Sequence, residues 1–333
     1  MLSLNKRVFT SCFVVCVAAA TVSAQQNVTK PAPQLPKTQK PQDDGDLAKF
    51  TSVVRRVVCP TTVVDRNGHL VTDLPKSAFT VYENGKPQTI IGFKREDVPV
   101  SLGLIIDNSG SMREKRKKVE KAALDLVLAS NKDDEVFVVN FNDTPYLDLP
   151  NEKDFTNDVE EMKQALARID SRGGTAMRDA LRVSIDHLKE KGKRDKKVLV
   201  VVTDGVDNAS MISLENLVKV SQQTGVLIYA VGLLTEEDRR DAKKAQRELQ
   251  ALVEATGGEA FFPKELTEVD AIAQEVARDI RNQYTIEYSP GDAALDGKYR
   301  EIKIAVNAPG HPTVHTRSGY YATPDQSDAK SSK

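Results

Sequence analysis

With 333 residues, the chain is long enough for roughly two domains, taking about 150 residues for each. Its net charge of −1 excludes a strong overall attraction to nucleic acid or to an anionic membrane. Tryptophan is absent and aromatic residues make up only 5% of the chain, so stacking platforms for carbohydrate or single-stranded nucleic acid are not expected.

The N-terminal segment, residues 1–24, has the pattern of a secretory signal peptide. Lys6 and Arg7 form a basic start, an apolar stretch follows over residues 8–20, and residues 22–24 (Val-Ser-Ala) fit a small-residue cleavage site. The apolar stretch is shorter than the ~20 residues that span a bilayer, which favours cleavage over a membrane anchor. No other stretch is long enough to cross a membrane, so we expect a mature protein that is secreted or periplasmic.

Two further segments are too polar to form a packed core. Residues 25–46 are predicted to be a Pro-rich linker, and residues 324–333 a disordered tail. Once the signal peptide is removed, Cys59 is the single cysteine of the chain, which excludes an intramolecular disulfide. Its apolar sequence context predicts a buried side chain.

Patterns typical of β-structure occupy residues 47–97 and again residues 283–323. In the first segment, β-branched residues are frequent over residues 53–64, and Asn84-Gly85 lies between two apolar stretches, which is a strong hairpin signal. The second segment alternates polar and apolar residues. Because each segment is too small for a stable core of its own, we predict that the two pack together as one small all-β, sandwich-like unit.

Residues 98–282 alternate between short apolar runs and helical patterns. The runs at 102–106 and 198–202 are continuously apolar, as expected of strands buried on both faces of a parallel sheet. Helical patterns lie between the runs, for example from Val119 to Val127. This alternation predicts an α/β domain with a doubly wound, mostly parallel sheet of Rossmann-like architecture, inserted between the two β segments.

Oxygen-bearing side chains follow the predicted strands in three separate places. These are Asp107-Asn108-Ser109-Gly110-Ser111, Gly173-Gly174-Thr175 and Thr203-Asp204-Gly205. Each piece alone is typical of a helix cap or a turn. Together they lie where an open parallel sheet binds ligands, and their carboxylates and hydroxyls suit a hard cation. Without a cation, the carboxylates of Asp107 and Asp204 are expected to repel each other and to lower stability.

This constellation resembles the metal-ion-dependent adhesion site (MIDAS) of the von Willebrand factor A family, whose pattern is Asp-x-Ser-x-Ser, a distant Thr and a distant Asp. The five matching positions are Asp107, Ser109, Ser111, Thr175 and Asp204. The resemblance covers about residues 98–282. Residues 63–68, 79–86 and 317–321 also resemble the secreted bacterial group of "VWFA-related" proteins.

The resemblance implies a chemistry for these positions. Both serines and the threonine are expected to ligate Mg²⁺, or alternatively Mn²⁺ or Ca²⁺, while the aspartates often act through water. An Asp or Glu side chain of a partner protein is expected to complete the coordination. The resemblance thus implies a secreted adhesion or protein-binding module that depends on a divalent metal.

Other functions find less support in the residues, and the chain is not expected to be an enzyme. None of the four histidines follows a predicted parallel strand, and neither a nucleophile elbow nor a phosphate loop is present. A metal-assisted hydrolase stays open, with Asp207 as the available base, and so does a structural domain without metal-dependent binding. The basic run from Arg113 to Lys121 is typical of a solvated helix face, and its lack of interleaved aromatics argues against nucleic-acid binding.

Overall fold

The computed structural model describes residues 55–167, 171–234 and 239–323. The predicted signal peptide (1–24), the Pro-rich linker (25–46) and the tail (324–333) lie outside the described residues. Among the residues described, no helix combines the length and apolar character needed to cross a bilayer. Two sheets, each with its own apolar core, account for the fold.

Three groups of elements follow one another along the chain. The first group contains β1 (Val57–Val64), β2 (Phe79–Glu83) and β3 (Lys86–Lys94). The second contains β4 (Val100–Asp107), α1 (Arg116–Leu128), β5 (Glu135–Phe141), β6 (Pro145–Leu147), α2 (Val159–Leu166), α3 (Met177–Lys191), β7 (Lys196–Thr203), α4 (Leu214–Thr224), β8 (Leu227–Gly232), α5 (Arg239–Thr256), β9 (Ala260–Phe261) and α6 (Val269–Asn282). The third contains β10 (Tyr284–Ser289), β11 (Tyr299–Val306), β12 (Thr313–Thr316) and β13 (Gly319–Tyr321).

The second group forms an α/β domain around a six-stranded sheet in the order β6-β5-β4-β7-β8-β9. All neighbouring strands run parallel except the edge strand β6. Every residue of β4 is buried, because α1 and α6 cover one face of the sheet while α3 covers the other. The continuous apolar run predicted for this strand therefore has the expected physical cause. The chain proceeds from β4 to β5 on one side and later to β7 on the other, so the topological switch point lies between β4 and β7.

The first and third groups share one antiparallel sheet of seven strands, in the order β12-β1-β10-β3-β2-β11-β13. We call this sheet the β unit. Asn84 and Gly85 both have positive φ and close the predicted hairpin between β2 and β3. Cys59 is fully buried in the core of the β unit and its thiol is free. The fold class is thus confirmed: a doubly wound α/β domain with an additional all-β unit. The domain limits at 97/98 and 282/283 stay predictions.

Strand β10 occupies a central place in the β unit, between β1 and β3. Its residue Thr285 pairs with Lys94, the last residue of β3, so the whole α/β domain connects two neighbouring antiparallel strands. The β unit contacts the end of the α/β domain at which helices α4 and α6 finish. There the side chain of Arg317 donates to the Gln222 carbonyl at 2.7 Å, and Gln283 donates to the Thr62 hydroxyl at 3.1 Å.

Candidate metal site

Asp107 ends strand β4 and begins the first loop of the site. One carboxylate oxygen accepts the backbone N–H of Ser109 at 2.8 Å, which folds the loop back on itself. A short 3-10 turn, Gly110–Glu114, follows, and α1 begins only at Arg116 with Lys115 at its N-cap. Ser109 is the N-cap residue of the 3-10 turn, but its side chain makes no capping hydrogen bond there, and neither Asp107 nor Ser109 caps α1.

The Thr203 and Asp204 segment joins this loop through side-chain hydrogen bonds. Thr203 ends β7, next to β4, and its hydroxyl donates to the second oxygen of Asp107 at 2.6 Å. The Ser111 hydroxyl donates to Asp204 at 2.7 Å, and the hydroxyl oxygens of Ser109 and Ser111 lie 3.1 Å apart. Ser109, Ser111 and Asp204 are thus linked through their side chains, and Asp107 joins them through the backbone N–H of Ser109.

Thr175 reaches the same place through its backbone. Its N–H donates to the side-chain oxygen of Asn208 at 2.9 Å, and its carbonyl accepts the N–H of Asn208 at 3.1 Å. The Gly110 N–H donates to the Gly173 carbonyl at 3.4 Å, which holds the first loop against the second. Thr175 lies one residue before Ala176, the N-cap residue of α3, so the threonine is not the cap itself.

Glycine is required at position 173 for two reasons. Its φ is +74°, a conformation that residues with a side chain rarely adopt. In addition, a Cβ at this position would lie 2.0 Å from a carboxylate oxygen of Asp143, whose other oxygen accepts the Gly174 N–H at 2.7 Å. Gly110 is different, since its Cβ would meet only the Gly173 carbonyl, at 4.0 Å. Residues 173 and 174 thus lie in close contact with the Asp143 side chain.

A comparison with known protein families gives a match that includes all five residues of the candidate site. Residues 102–206 match the family model described as von Willebrand factor type A domain. The chain contains a von Willebrand factor type A domain. This confirms the resemblance found in the sequence, and we refer to the α/β domain below as the A domain.

Two curated relatives are themselves uncharacterized proteins. One, from Borreliella burgdorferi, is 22% identical over 215 residues, which cover 63% of this chain and 60% of the relative. The other, from Synechocystis sp., is 30% identical over 110 residues, which cover 32% of this chain and 26% of the relative. The chain thus spans less than two thirds of the length of these relatives.

Solved structures of the same fold class are similar to this chain at low sequence identity. A von Willebrand factor type A structure from Catenulispora acidiphila has a TM-score of 0.49 and 14% identity, and the match covers 82% of this chain and 75% of the other. A structure of proximal thread matrix protein 1 from the mussel byssus, with a zinc-occupied MIDAS motif, has a TM-score of 0.47 and 17% identity, covering 60% and 49%.

Two basic residues beside the A-domain site were not identified from the sequence. The Lys115 ammonium lies 2.7 Å from a carboxylate oxygen of Asp204 and 3.2 Å from the Leu233 carbonyl. Arg116 is 1% exposed and donates to the side-chain oxygen of Asn140 at 3.0 Å. The interpretation of this run as a solvated helix face is therefore wrong for both residues. A run of basic letters gives no signal of the distant acids and carbonyls that individual members meet after folding.

Burial dominates the electrostatics of Asp107. It raises the pKa of this carboxyl to about 6, against the hydrogen bonds from Thr203 and Ser109, and the charge of Asp204 adds a smaller upward effect. The predicted repulsion between the two aspartates is thus present but minor. Lys115 explains part of this, since it neutralises Asp204 at short range.

The donor set fits a hard divalent cation. It offers two carboxylates and three hydroxyls, and oxygen ligands of this kind suit Mg²⁺ with water in the remaining positions. Over the described ranges, no group of three or more His, Cys, Asp or Glu side chains is placed to hold a metal ion. A metal site here therefore depends on the serine and threonine hydroxyls as well as on the two acids.

Proposed function

We propose that the A domain binds a divalent cation of the Mg²⁺ type and, through it, an acidic side chain of a partner protein. Ser109, Ser111 and Thr175 would hold the ion through their hydroxyls, with Asp107 and Asp204 acting as its negative counter-charges. The bound ion would supply a positive centre that attracts a carboxylate. The single observation that carries the proposal is the meeting of three distant segments at the switch point of the sheet. The Ser111–Asp204 hydrogen bond of 2.7 Å joins the first and third segments, and the Gly110–Gly173 hydrogen bond of 3.4 Å joins the first and second.

The exposure of the five residues supports a binding face that a partner can reach. Asp107, Ser109, Thr175 and the side chain of Asp204 are almost completely buried, whereas Ser111 is exposed. The site thus has a buried floor and one exposed side. A single partner side chain would enter from the exposed side.

Asp207 argues for binding rather than hydrolysis. Its side chain is completely buried and pairs with the Arg178 guanidinium at 3.1 Å. It also accepts the backbone N–H of Arg178 and the Ser210 hydroxyl, both at 2.7 Å. A carboxylate held in this way is not available to activate water, although it was the base that the hydrolase alternative required.

Metal binding is the first test. We expect calorimetric titration with MgCl₂ to show one site in the wild type and an affinity lowered about tenfold or more, or ~1.4 kcal/mol, by Ser109→Ala and by Thr175→Ala. Ser130→Ala is the matched control, because its hydroxyl bonds to the Leu126 carbonyl at the far end of α1. Absence of Mg²⁺, Mn²⁺ and Ca²⁺ binding in the folded wild type would favour a structural domain without metal-dependent binding.

Partner capture is the second test. We propose that the protein acts outside the cytoplasm, because its first 24 residues have the pattern of a cleaved signal peptide. Mass spectrometry of the exported fraction should give a mature N-terminus near Gln25. Immobilised protein should retain partners from that fraction in Mg²⁺ and release them in chelator, and Ser111→Ala should reduce retention. Retention that chelator does not affect would contradict a metal-dependent partner site.

A further inference from the structure

Lys115 spans the gap between two strand ends at the site. It lies just before α1, and its ammonium contacts both Asp204, after β7, and the Leu233 carbonyl, after β8. The Lys115 side chain is 17% exposed and the Asp204 side chain only 1%. This ion pair is more shielded than the lysine pairs of α1, such as Lys118–Asp270, in which both side chains are 29% exposed.

Both carboxylate oxygens of Asp204 already accept a hydrogen bond. One of its oxygens accepts the Ser111 hydroxyl at 2.7 Å and the other accepts the Lys115 ammonium at 2.7 Å. A divalent ion at the site needs the negative charge of the same carboxylate. Two cations that share one carboxylate repel each other, and the repulsion is stronger where the charges are shielded from solvent.

We propose that Lys115 is a tethered cation that competes with the divalent metal for Asp204 and so sets the metal affinity of the site. The proposal rests on the metal site proposed above. Without metal, the ammonium neutralises Asp204 and keeps the loop after β7 in place. Metal binding displaces the ammonium from Asp204 toward solvent, so that occupancy of the site is coupled to the position of the start of α1.

Substitution of the lysine tests the competition. Lys115→Met keeps the length of the side chain and removes its charge, and we expect it to bind Mg²⁺ at least tenfold more tightly than the wild type in calorimetric titration. Lys118→Met is the matched control, because it also removes one ammonium near the start of α1. Lys118 pairs with Asp270 at 2.6 Å and not with Asp204. We expect this control to change the affinity less than twofold. In chelator, Lys115→Met should melt below the wild type, because Asp204 then lacks its counter-charge.

A second measurement needs no variant. Acetylation of lysines in the wild type, followed residue by residue by mass spectrometry, should label Lys115 slowly in chelator and faster in saturating MgCl₂, while Lys118 stays constant. Equal or weaker Mg²⁺ binding by Lys115→Met, with wild-type binding intact, would overturn the role of Lys115 alone. Failure of both the wild type and Lys115→Met to bind any divalent ion would instead refute the proposed metal site, on which this inference depends.

Discussion

Hydrogen bonds to Asp107 illustrate how single residues hold the candidate site. The carboxylate is 0% exposed, and its two oxygens accept one side-chain and one backbone donor. The sequence identified Asp107 from the Asp-x-Ser-x-Ser pattern, and the structure brings it together with Ser109, Ser111 and Asp204. Thr203 carries no such pattern, because its role follows from the pairing of β4 with β7. That Asp107, Ser109, Ser111, Thr175 and Asp204 bind a metal ion stays a prediction.

Thr203→Val should destabilise the fold by about 1–3 kcal/mol at pH 7, because it leaves a buried carboxylate oxygen without its donor at nearly constant side-chain volume. The same change should raise the pKa of Asp107 further, since the Thr203 hydroxyl now lowers it. Thr203→Ser keeps the donor and should restore most of the loss. Chemical unfolding in chelator measures the stability of both variants. Equal stability of the Val and Ser variants would show that this hydrogen bond contributes nothing to the free energy of unfolding.

Gly173→Ala should weaken Mg²⁺ binding and lower the melting temperature, because the added Cβ meets both a left-handed backbone and the Asp143 carboxylate. The loop that carries Thr175 would have to move. Gly110→Ala is the comparison, since the same methyl group there has only one neighbour, at 4.0 Å. The two variants should therefore differ clearly in thermal melts and in titration. Similar behaviour of both would show that the 173–175 loop adapts without cost.

Helix α6 shows how folding brings charged residues from distant parts of the chain close to one another. Its Asp279 is 3% exposed, and its pKa is raised to about 7 chiefly by burial and then by the charges of Glu259 and Glu275. Lys196, at the start of β7, donates to the Ile280 carbonyl of the same helix and has a pKa lowered to about 8 by burial. Helical periodicity indicates which face of a helix is apolar, but it does not predict which acid is buried, since that depends on distant elements.

Asp279→Asn should stabilise the protein at pH 8 and have little effect near pH 4. The folded-state pKa of about 7 lies above the ordinary value of 3.8, so ionisation opposes folding. Stability is therefore lost as the pH rises from about 4 to about 7, and the loss persists above that window. The amide does not ionise, and we expect a gain on the order of 2–4 kcal/mol at pH 8. Unfolding free energies across pH 4–8 measure the difference.

Asp270→Asn on the same helix provides a control with the opposite sign. The hydrogen bonds from Lys118 and Lys121 lower the pKa of Asp270. A lowered pKa contributes stability above the unfolded-state value, so this variant should lose about 1 kcal/mol or less at pH 8 and nothing at low pH. If Asp279→Asn also lost stability at pH 8, the ionised form of Asp279 would be favourable in the fold, contrary to its burial.

The whole molecule joins its two β segments into one sheet, in which β10 separates β1 from β3. Composition and alternation predicted a small all-β unit built from both ends of the chain and an inserted α/β domain between them. They did not predict the strand order, because alternation fixes which face of a strand is buried but not which strand lies beside it. The pairing of Lys94 with Thr285 is given only by the structure.

Replacement of residues 98–282 by a short Asn-Gly turn should leave a mature chain that folds as the β unit alone. The ends to be joined lie on paired strands, and the core around Cys59 belongs to the β unit. Burial raises the pKa of the Cys59 thiol to about 12, so the thiol should resist alkylation in the shortened chain as in the full one. Rapid alkylation without denaturant would show that the β unit needs the A domain to fold.

The pairing of β3 with β10 gives the A domain the place of a hairpin turn, and this has a mechanical consequence. If a partner binds at the candidate site as proposed, a pull on it would reach the sheet through both strands together. In the sheet, β10 is paired with β1 and β3 is paired with β2. A load along β3 and β10 therefore acts in shear on the hydrogen bonds between β10 and β1 and between β3 and β2. Rows of bonds loaded in shear must break together, whereas bonds loaded at a free hairpin end open one after another. We therefore expect the connection between the A domain and the β unit to withstand tension applied at the candidate site.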